Sequence, residues 1–171
     1  IINVCNFAKG ADGAPSLLSP DDARTLFHEL GHGLHGMLSD VTYPSLSGTS
    51  VFTDFVELPS QLYEHWQERP EVLRRFARHY QTGEPLPDDL LKRFLAARKF
   101  NQGFATVEFV SSALIDLEFH TQPASASRDV RAFEQAELEK IGMPAEIVLR
   151  HRPTQFGHIF SGDHYASGYY S

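Results

Sequence analysis

Five consecutive residues, His28-Glu29-Leu30-Gly31-His32, have the types and the spacing of a metal-dependent hydrolytic site. Residues four apart on an α-helix project from the same face, so both imidazoles can reach one tetrahedral zinc ion. Glu29 lies on the flank of this pair, where a carboxylate suits a general base that takes a proton from a water beside the metal. The alternative, surface histidines on a solvated helix, requires a chance match that this composition makes rare. His35 follows His32 by three residues and so lies near the same helix face, but at an angle around the helix that favours packing or support of the ligands and not metal binding.

Glu57 is the candidate for the third protein ligand that a catalytic zinc site requires. It follows the histidine pair after a loop long enough to reverse the chain direction, and it stands between Val56 and Leu58 in a largely apolar stretch. An unpaired charge would be costly in such a stretch. The alternative is an ordinary glutamate with its carboxylate exposed to solvent, which is the usual environment of this residue type. Asp54 and Gln61, one turn to either side, could orient the ligands or could be ordinary surface residues.

A second group of polar residues occurs in the segment 156–170. Its glycines supply backbone freedom, while its histidine and tyrosine side chains can donate hydrogen bonds to a carbonyl that becomes an oxyanion. Taken alone, such a cluster of glycine and tyrosine is more often a surface loop that leads into a packed helix.

The elements that position these residues are predicted to be mainly helical. Ser19 and Pro20 form a helix start, followed by two carboxylates that the helix dipole favours. Apolar residues at intervals of three and four then continue this helix to about Leu38. Further helices are predicted over about 53–67, 70–80, 88–100, 104–120 and 130–142, the last one capped by Asp129, with a loop over 39–50.

Residues 1–7 are predicted to form one short strand. They are β-branched and apolar, and a turn-rich stretch follows them. This strand would need a partner. The expected fold class is therefore mainly α with a short N-terminal strand.

Composition argues against several functional classes. With 171 residues, 42% hydrophobic and 22% charged, the chain has an ordinary globular balance, which excludes disorder, collagen and coiled coil as its main state. A net charge of −7 with scattered Lys and Arg disfavours nucleic acid as a partner, and apolar runs of only a few residues disfavour a membrane. Cys5 alone cannot form an internal disulfide, which favours a cytoplasmic setting and leaves a periplasmic one open.

Three segments of the chain, residues 27–35, 43–49 and 54–66, resemble the thimet oligopeptidase-like family of zinc metallopeptidases. The resemblance runs along nearly the whole chain and implies a zincin-type helical catalytic core. It also implies that His28, His32 and Glu57 bind one Zn²⁺ per chain, in agreement with the spacing argument. Glu29 would then be the catalytic base.

The same resemblance gives a role to the second group of polar residues. Family members have a similar glycine-rich loop followed by tyrosines that face the zinc. His158, Tyr165 and Tyr169 are therefore catalytic candidates, for substrate binding and for stabilisation of the transition state.

The function that the resemblance implies is zinc-dependent hydrolysis of peptide bonds in short peptides. Residues 46–49 and 78–83 resemble the branch that releases C-terminal dipeptides; an oligoendopeptidase is the alternative, as is a zinc-binding helical core without turnover in isolation. Because family members are much longer, residues 1–171 are expected to be one catalytic domain, a fragment whose N-terminal part and C-terminal end lie outside it. Its expected partners are short peptides and the remainder of that enzyme.

Overall fold

The computed structural model describes residues 1–123, 129–161 and 165–171, and it divides the chain into two units, Ile1–Phe100 and Asn101–Ser171. The prediction of a mainly helical fold is confirmed, because the described residues form six α-helices and no strand. The single catalytic domain expected over residues 1–171 stays a prediction.

The short strand predicted over residues 1–7 is wrong, since no strand forms within the described ranges that could pair with it. A lone extended segment cannot satisfy its backbone N–H and C=O groups through ladder hydrogen bonds. Instead, the side chains of Ile1 and Asn3 lie beside Gly33 and Gly36. The β-branched residues Ile1, Ile2 and Val4 nevertheless stay largely exposed, so their composition alone does not make this segment a strand.

The first unit contains four helices: α1 (Pro20–Leu38), α2 (Thr53–Gln67), α3 (Pro70–Phe76) and α4 (Asp88–Ala97). The predicted start of α1 is confirmed, since Ser19 Oγ accepts from the Asp22 N–H and the Asp22 carboxylate accepts from the Ser19 N–H. At the other end, Ser39 Oγ donates to the carbonyl of His35 and accepts from the N–H of Gly48. These bonds tie the loop that follows to the last turn of α1.

α1 packs on α2, and the two helices come into close contact at Gly31. A Cβ atom at this position would lie 2.6 Å from Ser60 Cα and 2.8 Å from the Pro59 carbonyl oxygen. Both are backbone atoms, so no side chain could move aside to make room.

Pro59 lies inside α2 and removes the backbone donor that would bond the Phe55 carbonyl, yet the helix continues to Gln67.

The third helix ends at Phe76 and not near residue 80, where the apolar pattern predicted its end. The chain folds back beyond it: the Leu86 N–H donates to the Ala77 carbonyl over 2.9 Å, and the His79 N–H donates to the Glu84 carbonyl over 2.8 Å. Gly83 has a left-handed φ of +72° in this turn. Residues 77–86 therefore fold back and pair with one another, and α3 does not continue through them.

The second unit contains α5 (Gln102–Thr121) and α6 (Val130–Lys140). The predicted cap of α6 is confirmed, because the Asp129 carboxylate accepts from the N–H groups of Arg131 and Ala132. α5 packs on α6, with the Phe119 ring 5.4 Å from the Phe133 ring. The buried apolar residues of this unit are Ala113, Ile115, Leu149 and Ile159. No helix of the described chain is both long and apolar enough to cross a membrane.

Replacement of Gly31 by alanine is expected to destabilise the first unit. The new methyl group would press on the backbone of α2, and overpacking of this kind costs about 1–3 kcal/mol of unfolding free energy. The measurement is guanidinium-induced unfolding of the full-length parent polypeptide in the presence of a chelator, so that metal binding does not contribute. Gly33→Ala is the matched control, because its Cβ would meet only side-chain atoms, at 3.5 Å and beyond.

Both variants gain the same helix propensity on α1, so the difference between them isolates the contact with α2. A Gly31→Ala protein as stable as the Gly33→Ala protein would contradict the close approach of the two helices.

Candidate metal centre

Three potential metal-binding atoms converge between α1 and α2: His28 Nε2, His32 Nε2 and Glu57 Oε2. The two imidazole nitrogens lie 3.2 Å apart, and each lies 3.2 Å from the carboxylate oxygen. The three side chains are partly buried, with 25%, 18% and 16% of their surfaces exposed, respectively. The structure therefore brings together the three residues that the sequence singled out as ligands.

This triangle has the dimensions of a tetrahedral metal site. Ligand atoms about 2.0–2.2 Å from a zinc ion lie about 3.3–3.6 Å from one another in a tetrahedron, close to the separations found here. Two imidazoles and one carboxylate are also the donor set of several catalytic zinc sites, which leave a fourth position open. The residues present fit a zinc ion.

Each of the three atoms reaches the triangle through a simple helical relation. His28 and His32 lie one turn apart on α1, which places their rings on one face. Glu57 lies on α2 one turn before Ser60, the residue whose Cα a Cβ atom at Gly31 would meet first. The absence of a side chain at Gly31 therefore sets the short distance across which Glu57 meets the histidine pair.

Two further residues hold the ligands in this orientation. Glu64 accepts a hydrogen bond of 2.7 Å from His28 Nδ1, which leaves Nε2 of that ring free to point into the triangle. Ser60 is fully buried, and its hydroxyl donates to Glu57 Oε2 over 2.8 Å. Carboxylate–histidine pairs of this kind fix the ring of a metal ligand and raise its basicity.

The charges around His28 favour a cation at this place. Its hydrogen bond to Glu57 is the main cause that raises the pKa of His28 to about 9, and Glu64 adds to this effect while burial opposes it. Two carboxylates thus face one imidazole in a partly buried setting. This arrangement of charges favours a cation at His28.

Sequence reasoning missed Ser60 and the role of Glu64. It considered Asp54 and Gln61 as supports for the ligands, but both are exposed, and within the described residues neither bonds a ligand. Glu64 follows Glu57 by seven residues, which is two turns of α2, so that this spacing could have indicated it. Nothing in the sequence distinguishes Ser60 from other serines.

Glu29 follows His28 directly on α1 and is half-buried. Among the residues that the structure describes, its carboxylate has neither a hydrogen bond nor an ion pair. His35 stays outside the triangle, and its ring lies 6.0 Å from the ring of Phe55. The expectation that His35 packs and does not ligate agrees with this contact.

The other three site candidates lie in the second unit, near Phe156. The Phe156 ring lies 4.8 Å from the rings of both His158 and Tyr169, and the His158 ring lies 6.0 Å from the Tyr165 ring. His158 is exposed, whereas burial raises the pKa of the Tyr169 phenol. The structure thus brings His158, Tyr165 and Tyr169 into one aromatic cluster.

The fold and the triangle define a class of protein: a helical chain whose H-E-x-x-H motif and a glutamate from the next helix form the ligand arrangement typical of zinc metallopeptidases. The chain matches Peptidase family M3 over residues 1–171, and it belongs to that family. The resemblance to thimet oligopeptidase-like metallopeptidases that the sequence indicated is confirmed.

Relatives with 36–47% identity align with nearly the whole chain. It is 47% identical over 174 residues to dipeptidyl carboxypeptidase of Escherichia coli strain K12, covering 100% of this chain and 25% of the relative. It is 39% identical over 170 residues to oligopeptidase A of Salmonella typhimurium, and this match covers 98% of this chain and 25% of the relative. It is 36% identical over 179 residues to mitochondrial intermediate peptidase of Mycosarcoma maydis, and this match covers 100% of this chain and 20% of the relative. The chain therefore spans about a quarter or less of these relatives' lengths.

Proposed function

We propose that this chain is the catalytic segment of a zinc-dependent peptidase that hydrolyses short peptides and releases dipeptides from their C-terminal ends. The observation that carries this proposal is the triangle of His28 Nε2, His32 Nε2 and Glu57 Oε2, with all three sides 3.2 Å long. These three residues would hold the zinc ion. When bound, zinc polarises the scissile carbonyl and lowers the pKa of water at its open position.

Glu29 is the proposed general base. It neighbours a ligand on the same helix but lies outside the triangle, so its carboxylate is available to a water molecule and not committed to the metal. The carboxylate would take a proton from the attacking water and pass it to the nitrogen of the leaving amine. A single residue can perform both transfers because the two events follow one another.

His158, Tyr165 and Tyr169 are proposed to bind the substrate and to stabilise the oxyanion that forms from the scissile carbonyl. Their imidazole and phenol groups are hydrogen-bond donors of the kind that this task requires. Burial keeps the Tyr169 phenol protonated over a wider pH range, because it raises the pKa of that group. A protonated phenol is the form that donates.

The dipeptide-releasing specificity rests on similarity. The identity of 47% to a dipeptidyl carboxypeptidase exceeds the 39% to an oligopeptidase A, although both relatives match nearly the whole chain. We further propose that the chain acts within a longer polypeptide, since it spans about 25% of either relative. A cytoplasmic setting is proposed on the single cysteine, Cys5, which forms no disulfide.

The variant Glu29→Gln tests the general base. In the full-length parent it is expected to keep near-stoichiometric zinc and to lose on the order of a hundredfold or more in kcat, which is the scale of general-base catalysis. Zinc is measured by atomic absorption and turnover with a fluorogenic peptide. Glu71→Gln, an exposed carboxylate on α3, is the matched control and should change neither quantity. Normal turnover in Glu29→Gln would require another base.

Amidation of the substrate separates the dipeptidase from the endopeptidase. A free C-terminal carboxylate bound by charge-assisted hydrogen bonds contributes about 1.5–3 kcal/mol, or roughly ten- to a hundredfold in rate if the bonds form in the transition state. One peptide is given to the full-length parent in free and amidated form, and the products are identified by mass. Dipeptide release that amidation strongly reduces is the expected result. Equal cleavage of both forms at an internal bond would favour an oligoendopeptidase.

A further inference from the structure

Asp116 is a fully buried carboxylate in the middle of α5, with no exposed surface. Its neighbours along the chain are mainly apolar, and the sequence pattern alone suggested only that this helix has one core face and one solvent face. A buried charge requires compensation by several hydrogen bonds. The partners of Asp116 therefore indicate what this residue does.

Among the residues that the structure describes, the carboxylate has three partners, and two of them are backbone groups of the segment that carries the site tyrosines. The Ser167 N–H donates to Asp116 Oδ1 and the Tyr169 N–H donates to Asp116 Oδ2, each over 3.1 Å. The third partner is His120, one turn further along α5, whose Nδ1 lies 2.8 Å from Oδ1 and 2.9 Å from the main-chain carbonyl oxygen of Asp116. One side chain thus binds two points of a segment about 50 residues away in the sequence.

The backbone between these two points has a conformation that needs such support. Ser167 has a left-handed φ of +63°, which costs energy for a residue other than glycine. The Gly168 N–H closes the turn by donating to the Tyr165 carbonyl over 2.9 Å. Tyr165 and Tyr169 stand at the two ends of this turn, so its shape determines the position of both phenols.

We infer that Asp116 is a positioning residue: it fixes the turn 165–169 through two backbone hydrogen bonds and thereby holds Tyr165 and Tyr169 in their working orientation. The inference rests on the proposed function, in which these tyrosines bind the substrate and stabilise the oxyanion. A carboxylate suits the task because each of its oxygens accepts one N–H. An asparagine has a single oxygen acceptor and would present its NH₂ group to the other N–H.

The variant Asp116→Asn in the full-length parent tests the inference in two independent ways. Hydrogen exchange of the backbone amides of Ser167 and Tyr169 is expected to accelerate at least about tenfold, because one of the two bonds that hold the turn is lost. The kcat value is expected to fall on the order of ten- to a hundredfold, the scale of a misplaced catalytic group, with the zinc content unchanged. Glu118→Gln, two residues further along α5, is the matched control and should change neither quantity.

A double-mutant cycle separates positioning from general stability. If Asp116 acts through the tyrosines, Asp116→Asn should cause little further loss of kcat in a Tyr165→Phe/Tyr169→Phe background. Full additivity of the two losses would overturn the inference, and so would unchanged exchange at Ser167 and Tyr169. Normal kcat in the Tyr165→Phe/Tyr169→Phe protein would contradict the proposed role of the tyrosines. This outcome can be distinguished from a failure of the inference about Asp116, because hydrogen exchange is measured without turnover.

A second variant keeps the test valid if Asp116→Asn does not fold. His120→Ala removes the imidazole that lies against Oδ1 of Asp116 and hydrogen-bonds its main-chain carbonyl, and it leaves both backbone bonds to the carboxylate in place. Because both backbone bonds remain, it should raise exchange at Ser167 and Tyr169 and lower kcat, each by less than Asp116→Asn would, and the loss of kcat should again vanish in the tyrosine double variant. A loss of kcat that persists in that background would overturn the inference.

Discussion

The candidate metal centre depends on the close approach of α1 and α2 at Gly31. A Cβ atom there would lie 2.6 Å from Ser60 Cα, so the two backbones can meet only because this residue has no side chain. Ser60 in turn is buried at the contact and donates to Glu57 Oε2. The contact therefore fixes both the distance between the helices and the orientation of the carboxylate. The regular spacing of α1 is enough to place the two histidines on one face. Glu57, the third ligand, reaches them only because of this contact between the helices.

Charge explains why the centre is stable in this form. Glu57 and Glu64 lie on one face of α2 and bond the two nitrogens of the same imidazole, at 3.2 and 2.7 Å. Two carboxylates at a partly buried site repel each other unless a cation lies between them. The hydrogen bond to Glu57, together with Glu64, raises the pKa of His28 to about 9 and so favours its cationic form. Zinc would meet the same requirement with a larger charge and with three ligand atoms already in position.

Features with a local physical cause could be predicted from the sequence. Ser19 and Asp129 mark the starts of α1 and α6, because side-chain caps satisfy backbone donors of the first turn. Features that depend on distant partners could not. Residues 1–7 have the composition of a strand but find no partner strand among the described residues. Asp116 likewise reveals its role only through N–H groups about 50 residues further along the chain.

The central claim is that His28, His32 and Glu57 together hold one zinc ion. Anomalous X-ray scattering at the zinc absorption edge, from crystals of the full-length parent grown with zinc, tests it directly. The account predicts one strong anomalous peak per chain, about 2.0–2.2 Å from His28 Nε2, His32 Nε2 and a carboxylate oxygen of Glu57. A peak that the two histidines share with a residue other than Glu57, or a main peak elsewhere in the molecule, would contradict it.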